Sequence, residues 1–172
     1  MKKVKLISSI LFYPARLLAI AYIIVTLYSA LSIITEWSYI LFDGGKSFSV
    51  CYPFTETKFM NGENSWGYKI FNFLIPLGFY GLFFLLLSNV FNAFRQPKLF
   101  TEYGVKQLKW FCIINIFILP VNTILADNFS DKIEEGLIVV AVIHFILGIF
   151  SYFLAAIFSQ GVNLQNEQDL YI

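Results

Sequence analysis

The chain has 172 residues, of which 58% are apolar and 13% are charged, with twenty phenylalanines and a formal net charge of +1. Soluble domains are roughly 45–50% apolar and about 25% charged, and disordered chains are poor in aromatic residues. This composition excludes a disordered chain, and the near-zero net charge provides no basic field for direct binding of nucleic acid. The composition therefore predicts a membrane protein.

Four uncharged apolar runs cover residues 17–34, 70–91, 110–126 and 137–158. Crossing the hydrocarbon core takes about 20 apolar residues, with a range of about 17–25, and a helix satisfies its own backbone there. The sequence predicts an all-α membrane protein, a single membrane domain over residues 1–172, with four transmembrane helices in an up-down antiparallel bundle. The predicted helices cover residues of about 10–34, 70–92, 104–126 and 136–160. For the third run, the shortest, a short buried or re-entrant helix is the alternative.

The basic N-terminus, Met1 to Lys5, resembles the start of a signal peptide. The apolar stretch that follows continues to Ile34, which is longer than the roughly 7–15 residues of a signal-peptide core. No small-residue cleavage site follows a short apolar core. We therefore expect a retained first helix.

The distribution of Lys and Arg predicts the orientation. With the N-terminus inside, the inner side carries eight basic residues and the outer side four. The loop of residues 93–109, with four basic residues and one acidic residue, decides the orientation, because an excess of Lys and Arg marks cytoplasmic loops. We expect a multi-pass protein of the cell (cytoplasmic) membrane with both termini, loop 93–109 and tail 159–172 in the cytoplasm.

Each run carries a stripe of small or polar residues spaced by threes and fours, which places them on one helix face. Membrane helices associate through such residues and through interhelical hydrogen bonds. The candidate intramembrane polar contacts are Asn89, Asn115, Asn122 and His144. They can form a proton relay or ligand contact, or they can join helices by packing. Packing is favoured, because no Asp, Glu or Lys lies in any run to partner the histidine.

Two prolines lie in the predicted helices, Pro76 near the start of the second and Pro120 inside the third. A proline has no N–H to donate to the preceding turn, and its ring bends the helix. We therefore expect a bend at each proline and a polar group from a neighbour at each freed carbonyl.

The outer loop, residues 35–69, is predicted to hold a short β-hairpin. Apolar and polar residues alternate over residues 48–52, which lie between the turn residues Gly44-Gly45 and Pro53 and are predicted to form one strand. Residues 55–60 are predicted to form a second strand that ends at the turn signal Asn61-Gly62. A 35-residue loop is too small to have a core of its own, so we expect a cap on the bundle. A structural lid is favoured over a surface for an external ligand.

No residues for catalysis come together in the sequence. A nucleophile needs a base within reach and a metal needs three or four ligands, but the chain has one histidine and no carboxylate in its runs. Gly45-Lys46-Ser47 lacks the context of a phosphate-binding loop. Cys51 and Cys112 lie in different environments, which argues against a disulfide. We predict a non-enzymatic protein with no catalytic residues, no metal and no cofactor.

The two predicted cytoplasmic segments are more informative. Thr101 can cap a helix that has Glu102 in its first turn. The tail keeps a helical spacing of apolar residues and ends in acidic residues, opposite the basic loop, so a tail-to-loop contact is expected. The candidate surface for a cytoplasmic partner consists of Arg95, Lys98, Lys106, Lys109, Glu167 and Asp169.

These two segments resemble a known family. Residues 95–102, RQPKLFTE, running into residues 105–109, VKQLK, resemble the motif "pF-t-eN-ikrLr". Residues 157–172, IFSQGVNLQNEQDLYI, resemble "iFkeGveLqeEnDLTI". Both motifs occur in the bacterial four-helix integral membrane family catalogued as domain of unknown function 2975. The chain departs from the motifs at Gln168 and Tyr171, and it has Lys106 and Lys109 where the family usually has Arg.

The resemblance implies a bacterial inner-membrane protein without an established activity. Members of the family are often encoded beside a small helix-turn-helix regulator. The resemblance thus implies a non-enzymatic membrane regulator or tether of such a transcription factor, with the lipid bilayer as its other partner. A transport or channel component and a structural subunit of a membrane complex are the alternatives. The sequence leaves the oligomeric state open.

Overall fold

In the computed structural model, which describes residues 2–130 and 135–169, four long helices account for most of the chain. They are α1 (Lys2–Thr35), α2 (Ile75–Phe94), α3 (Glu102–Phe129) and α4 (Glu135–Asp169), and a π-helical turn (Tyr68–Leu74) leads into α2. Within these residues, four helical segments are long and apolar enough to cross a membrane, as predicted. The third run forms a 28-residue helix, so the short-helix alternative for it is wrong.

The first and last helices are longer than the sequence predicts. Helix α1 begins at Lys2 rather than near residue 10, and α4 continues to Asp169 rather than ending near residue 160. Polar residues end the apolar runs, but they do not break a helix, because its backbone hydrogen bonds are local. The end of an apolar run in the sequence therefore does not mark the end of the helix.

Each helix packs on its neighbour in the chain, α1 on α2, α2 on α3 and α3 on α4. The predicted small and polar stripes lie in these contacts: Ala15, Ala19, Ser29, Ser88, Ala126, Ala141, Ser151 and Ala155 are all buried. The opposite faces, including Leu17, Ile24 and Phe150, are exposed, as a lipid environment requires. This pattern confirms the prediction that the stripes of small and polar residues face the interior and the large apolar residues face outward.

A small antiparallel sheet, which we call the cap, lies between α1 and α2 in the chain. Its strands are β1 (Tyr39–Phe42), β2 (Ser47–Cys51) and β3 (Lys58–Glu63), in the order β1-β2-β3. The predicted hairpin is therefore incomplete, because β1 adds a third strand. Asn61 and Gly62 lie inside β3, so the predicted turn there is wrong. The tight turn is formed instead by residues 43–45, at which all three backbone φ angles are positive.

The cap packs against the bundle through a shared apolar cluster. Phe48 and Val50 of β2 are buried with Ile33 of α1 and Phe73 of the π-helical turn. The hydroxyl of Tyr28 in α1 also donates to the carbonyl oxygen of Cys51 at 2.6 Å. The sheet thus buries its inner face on the helices, in agreement with a cap that has no separate core.

Candidate functional site

The predicted intramembrane residues Asn115 and His144 contact each other between α3 and α4. The Nδ1 atom of His144 lies 2.6 Å from Oδ1 of Asn115, and Nδ2 of Asn115 donates to the carbonyl oxygen of Phe111 at 2.7 Å. Since Asn115 presents an acceptor, Nδ1 of His144 is the donor. Both side chains are buried, Asn115 completely. The two helices are therefore joined by a hydrogen bond at this point.

Aromatic rings of α2 surround the histidine. The ring centroids of Phe79 and Phe83 lie 4.8 and 4.9 Å from that of His144, both edge-to-face, and Tyr80 follows at 5.8 Å. This surrounding excludes water from the side of the ring that faces α2. The geometry is that of a packing contact between three helices.

The Asn89 side chain joins three helices near the other end of α2. Its Oδ1 accepts a hydrogen bond from Nη2 of Arg16 in α1 at 2.8 Å, and its Nδ2 donates to Oε1 of Gln107 in α3 at 3.1 Å. Sequence reasoning missed Arg16 and Gln107 as members of this contact. The sequence carries a signal for the contact with Arg16. This residue directly precedes the first apolar run and Asn89 lies near the end of the second, so antiparallel helices would place both at the same end of the bundle.

Asn122 of α3 donates a hydrogen bond to the backbone carbonyl that Pro76 leaves without a donor. In a π-helical turn the N–H of residue 76 would bond to the carbonyl of residue 71, but proline has no N–H. The Nδ2 atom of Asn122 donates to the Phe71 carbonyl oxygen at 2.7 Å instead. The sequence-based expectation of a polar neighbour is thus confirmed at Pro76.

The predicted partner surface is divided between separate places. The guanidinium carbon of Arg95 lies 4.6 Å from the ring centroid of Phe12 and 5.5 Å from that of Tyr13, so this side chain is engaged with α1. Lys98 is exposed in the loop between α2 and α3. Glu167 is exposed near the end of α4, and the Asp169 side chain lies outside what the structure describes.

Lys106 and Lys109 line a groove between α3 and α4, which we call the lysine groove. It consists of two neighbouring cavities of about 460 and 420 Å³, which share Lys109, Ile113 and Ser159. The first also touches Glu102, Val105, Lys106, Trp110, Val162 and Asn163. The second also touches Cys112, Tyr152, Ala155 and Ala156. Sequence reasoning identified the two lysines but not the groove, which depends on how the helices cross.

The tail contacts the loop, as expected, but through apolar groups. The ring of Phe100 lies edge-to-face on Phe158, with centroids 5.1 Å apart. One turn further, Gly161 is buried against the same ring, and a Cβ at this position would lie 2.5 Å from Cγ of Phe100. Helix α3 then begins at the predicted cap, where Thr101 Oγ1 accepts from the Gly104 backbone N–H at 3.1 Å. Aromatic packing thus fixes the start of the tail.

Cys51 lies in the cap and Cys112 in α3, and both are free and buried. Within residues 2–130 and 135–169, no three His, Cys, Asp or Glu side chains come together to form a metal site. The two cysteines are therefore separate buried side chains, as the sequence predicts.

Four apolar helices with hydrogen-bonded polar side chains between them define a multi-pass membrane protein. The family described as "Protein of unknown function (DUF2975)" matches residues 52–172, which is more than half of the chain. The chain belongs to this family, as the sequence motifs indicate. No curated protein and no solved structure matches the chain.

Proposed function

We propose that this protein is a non-enzymatic regulator of a bacterial inner membrane that holds a small helix-turn-helix transcription factor at its cytoplasmic face. In this proposal the four helices form an up-down antiparallel bundle with both termini in the cytoplasm. The lipid bilayer surrounds the bundle, and the cap lies outside.

Contacts between successive helices support the antiparallel arrangement. Arg16, early in α1, bonds to Asn89, late in α2, whereas Thr26, later in α1, lies beside Gly78, early in α2. The excess of Lys and Arg in the N-terminal segment and in the loop before α3 supports the orientation.

The extension of α4 beyond membrane length carries the proposal. Its 35 residues span about 52 Å at 1.5 Å per residue, whereas the hydrocarbon core is about 30 Å thick. The polar segment from Asn163 to Asp169 therefore projects from the membrane. The packing of Phe100 against Gly161 holds the start of this segment in place against the loop before α3. An ordered helix at the membrane surface is a platform on which a partner can bind.

The charge of this helix end is complementary to the basic face of a DNA-binding protein. Leu164 is 61% exposed in the otherwise polar segment of residues 163–169, and Glu167 and Asp169 give the end of α4 negative charge. DNA-binding proteins have a basic face for the phosphate backbone. Acidic residues on α4 can bind that face and thus compete with DNA. The family resemblance supports the same class of partner.

Pull-down of the neighbouring helix-turn-helix protein by the full-length chain in detergent tests the proposal. Reversing the acidic end, Glu167→Lys with Asp169→Lys, is expected to abolish retention, because like charges then face each other. Glu56→Lys, at an exposed position in the cap, is the control and should retain the partner. Equal retention by both variants would contradict the proposed surface.

Membrane-impermeant maleimide labelling of intact cells tests the orientation. Thr57→Cys in the cap and Gln168→Cys in the tail are both at exposed positions, and both native cysteines are buried. We expect labelling of the cap cysteine in intact cells and of the tail cysteine only after the cells are opened. The reverse result would contradict a cytoplasmic tail.

The transport alternative is less well supported. The most polar interior groups, His144 and Asn115, bond to each other, and rings of α2 cover the histidine. A conducting path needs polar groups that can exchange partners with an ion or with water. A flux assay in proteoliposomes with His144→Ala tests this alternative, which requires that the substitution change the flux.

A further inference from the structure

We propose that the lysine groove binds an anionic phospholipid of the surrounding leaflet. The phosphate lies at Lys106 and Lys109, and one acyl chain follows the apolar part of the groove towards the membrane interior. This inference does not rest on the proposed regulatory role. It also holds for either orientation of the protein, because each leaflet presents headgroups.

The shape of the groove fits a molecule with a polar and an apolar end. The two cavities, of about 460 and 420 Å³, are neighbours along the line where α3 and α4 meet. Lys106 and Lys109 are one turn apart, and Cys112 and Ile113 follow one turn deeper into the apolar run. The residues that line the groove therefore change from charged to apolar over about two helical turns. A phospholipid changes in the same way, from its charged headgroup to its apolar acyl chains.

The polar end can bind a phosphate group. Lys106 and Lys109 are both exposed and are three residues apart, so they project from one face of α3. Ser159 and Asn163, four residues apart on α4, face them across the groove and supply a hydroxyl and an amide. Among the described residues that line this cavity, Glu102, at the start of α3, is the one that is acidic. Basic pockets between transmembrane helices are typical sites for anionic headgroups.

The apolar end has room for a chain because α4 carries small residues there. Ala155 and Ala156 leave the space opposite Cys112 and Ile113 open. Trp110, which lines the first cavity beside the two lysines, is 50% exposed. Aromatic side chains of this kind are enriched at the level of the headgroups. A soluble phosphate would use only the polar half, whereas a phospholipid uses both halves.

Lipid binding to the purified full-length protein in detergent tests the proposal. Native mass spectrometry measures the affinity for phosphatidylglycerol and for phosphatidylcholine with the same acyl chains, with and without inorganic phosphate. We expect phosphatidylglycerol to bind at least about 10-fold more tightly, since the lysines favour a net negative headgroup. We expect inorganic phosphate at millimolar concentration to leave it bound.

Two groove variants test the binding of the headgroup and of the acyl chain separately. Replacing both lysines, Lys106→Gln with Lys109→Gln, should weaken phosphatidylglycerol binding by about 25-fold, that is, by about 5-fold for each basic side chain. Ala156→Phe should weaken it as well, because the ring fills the apolar half and leaves the charges in place. All three positions are exposed, so the fold should tolerate these changes, and the helical content by circular dichroism checks this.

A matched control is Lys2→Gln with Lys3→Gln, which removes the same charge from exposed positions of α1 outside the groove. It should bind phosphatidylglycerol like the wild type. Equal affinity for the two lipids would overturn the proposal, as would displacement by inorganic phosphate or a loss in the control as large as that in the groove variant. The tail variants of the partner test leave the groove intact, so failure of one proposal is distinguishable from failure of the other.

Discussion

The hydrogen bond between Asn115 and His144 can be tested by a double-mutant cycle. Asn115→Ala removes the acceptor for Nδ1 of the histidine, and His144→Phe removes the donor and keeps a ring against Phe79 and Phe83. If the bond joins α3 to α4, the double variant should be more stable than the sum of the single effects predicts.

The expected magnitude follows from the geometry. Interhelical hydrogen bonds in membranes contribute about 0.6 kcal/mol on average and about 1.7 kcal/mol at most. The 2.6 Å separation is short for a nitrogen–oxygen pair, so we expect a coupling of about 1 kcal/mol. Asn115→Ala alone should cost about 2 kcal/mol, because it also leaves the buried Nδ1–H of His144 without an acceptor.

Asn128→Ala, at an exposed position of the same helix, is the matched control. Asn128 also donates to the carbonyl four residues earlier at 2.7 Å, just as Asn115 does. It therefore reports the loss of the intrahelical bond alone, and we expect a cost below about 0.5 kcal/mol for a surface position. The free energy of unfolding is measured by circular dichroism in mixed detergents. Single effects that add to within about 0.3 kcal/mol would refute the interhelical bond.

Two further predictions concern helix contacts. Gly148→Ala should destabilise the protein by about 1–2 kcal/mol, since the new Cβ would lie 2.5 Å from Cγ1 of Ile116, and overpacking costs more than alanine gains in helix propensity. Gly136→Ala, where the new Cβ would meet nothing within 4 Å among the described residues beyond its own helix, should not lower the unfolding free energy; a loss equal to that at Gly148 would exclude the contact as the cause. Asn89→Leu should cost about 1–2 kcal/mol and lower the thermal unfolding midpoint, because half-buried Arg16 loses its acceptor. An unchanged midpoint would contradict this role.

The positions of the four helices could be predicted because hydrocarbon imposes one solution on an uncharged apolar run. The buried face of each helix could also be predicted, because small and polar residues at intervals of three and four have no other favourable place. Asn115 and His144 were therefore identified as interior residues. Their pairing was not predictable, because it depends on how far α3 is shifted along α4.

The same limit explains the residues that sequence reasoning missed. β1 consists of Tyr39-Ile40-Leu41-Phe42, a short apolar run without alternation, which the sequence alone does not distinguish from a helical segment; its pairing with β2 makes it a strand. The charge of Arg95 predicts a place on an open basic surface, but its guanidinium lies over the ring of Phe12, which is distant in sequence. Charge and periodicity are local properties, whereas both of these contacts join distant parts of the chain.

Asn122 shows how the two kinds of information combine. The proline at position 76 is sufficient to predict that a carbonyl in the preceding turn needs a donor, because the missing N–H is a property of the residue itself. The stripe on the third run is sufficient to predict that Asn122 faces inward. Only the packing of α3 against the π-helical turn brings the amide within 2.7 Å of the Phe71 carbonyl. Since the cap packs on Phe73 of the same turn, this bond stabilises the place where the sheet meets the bundle.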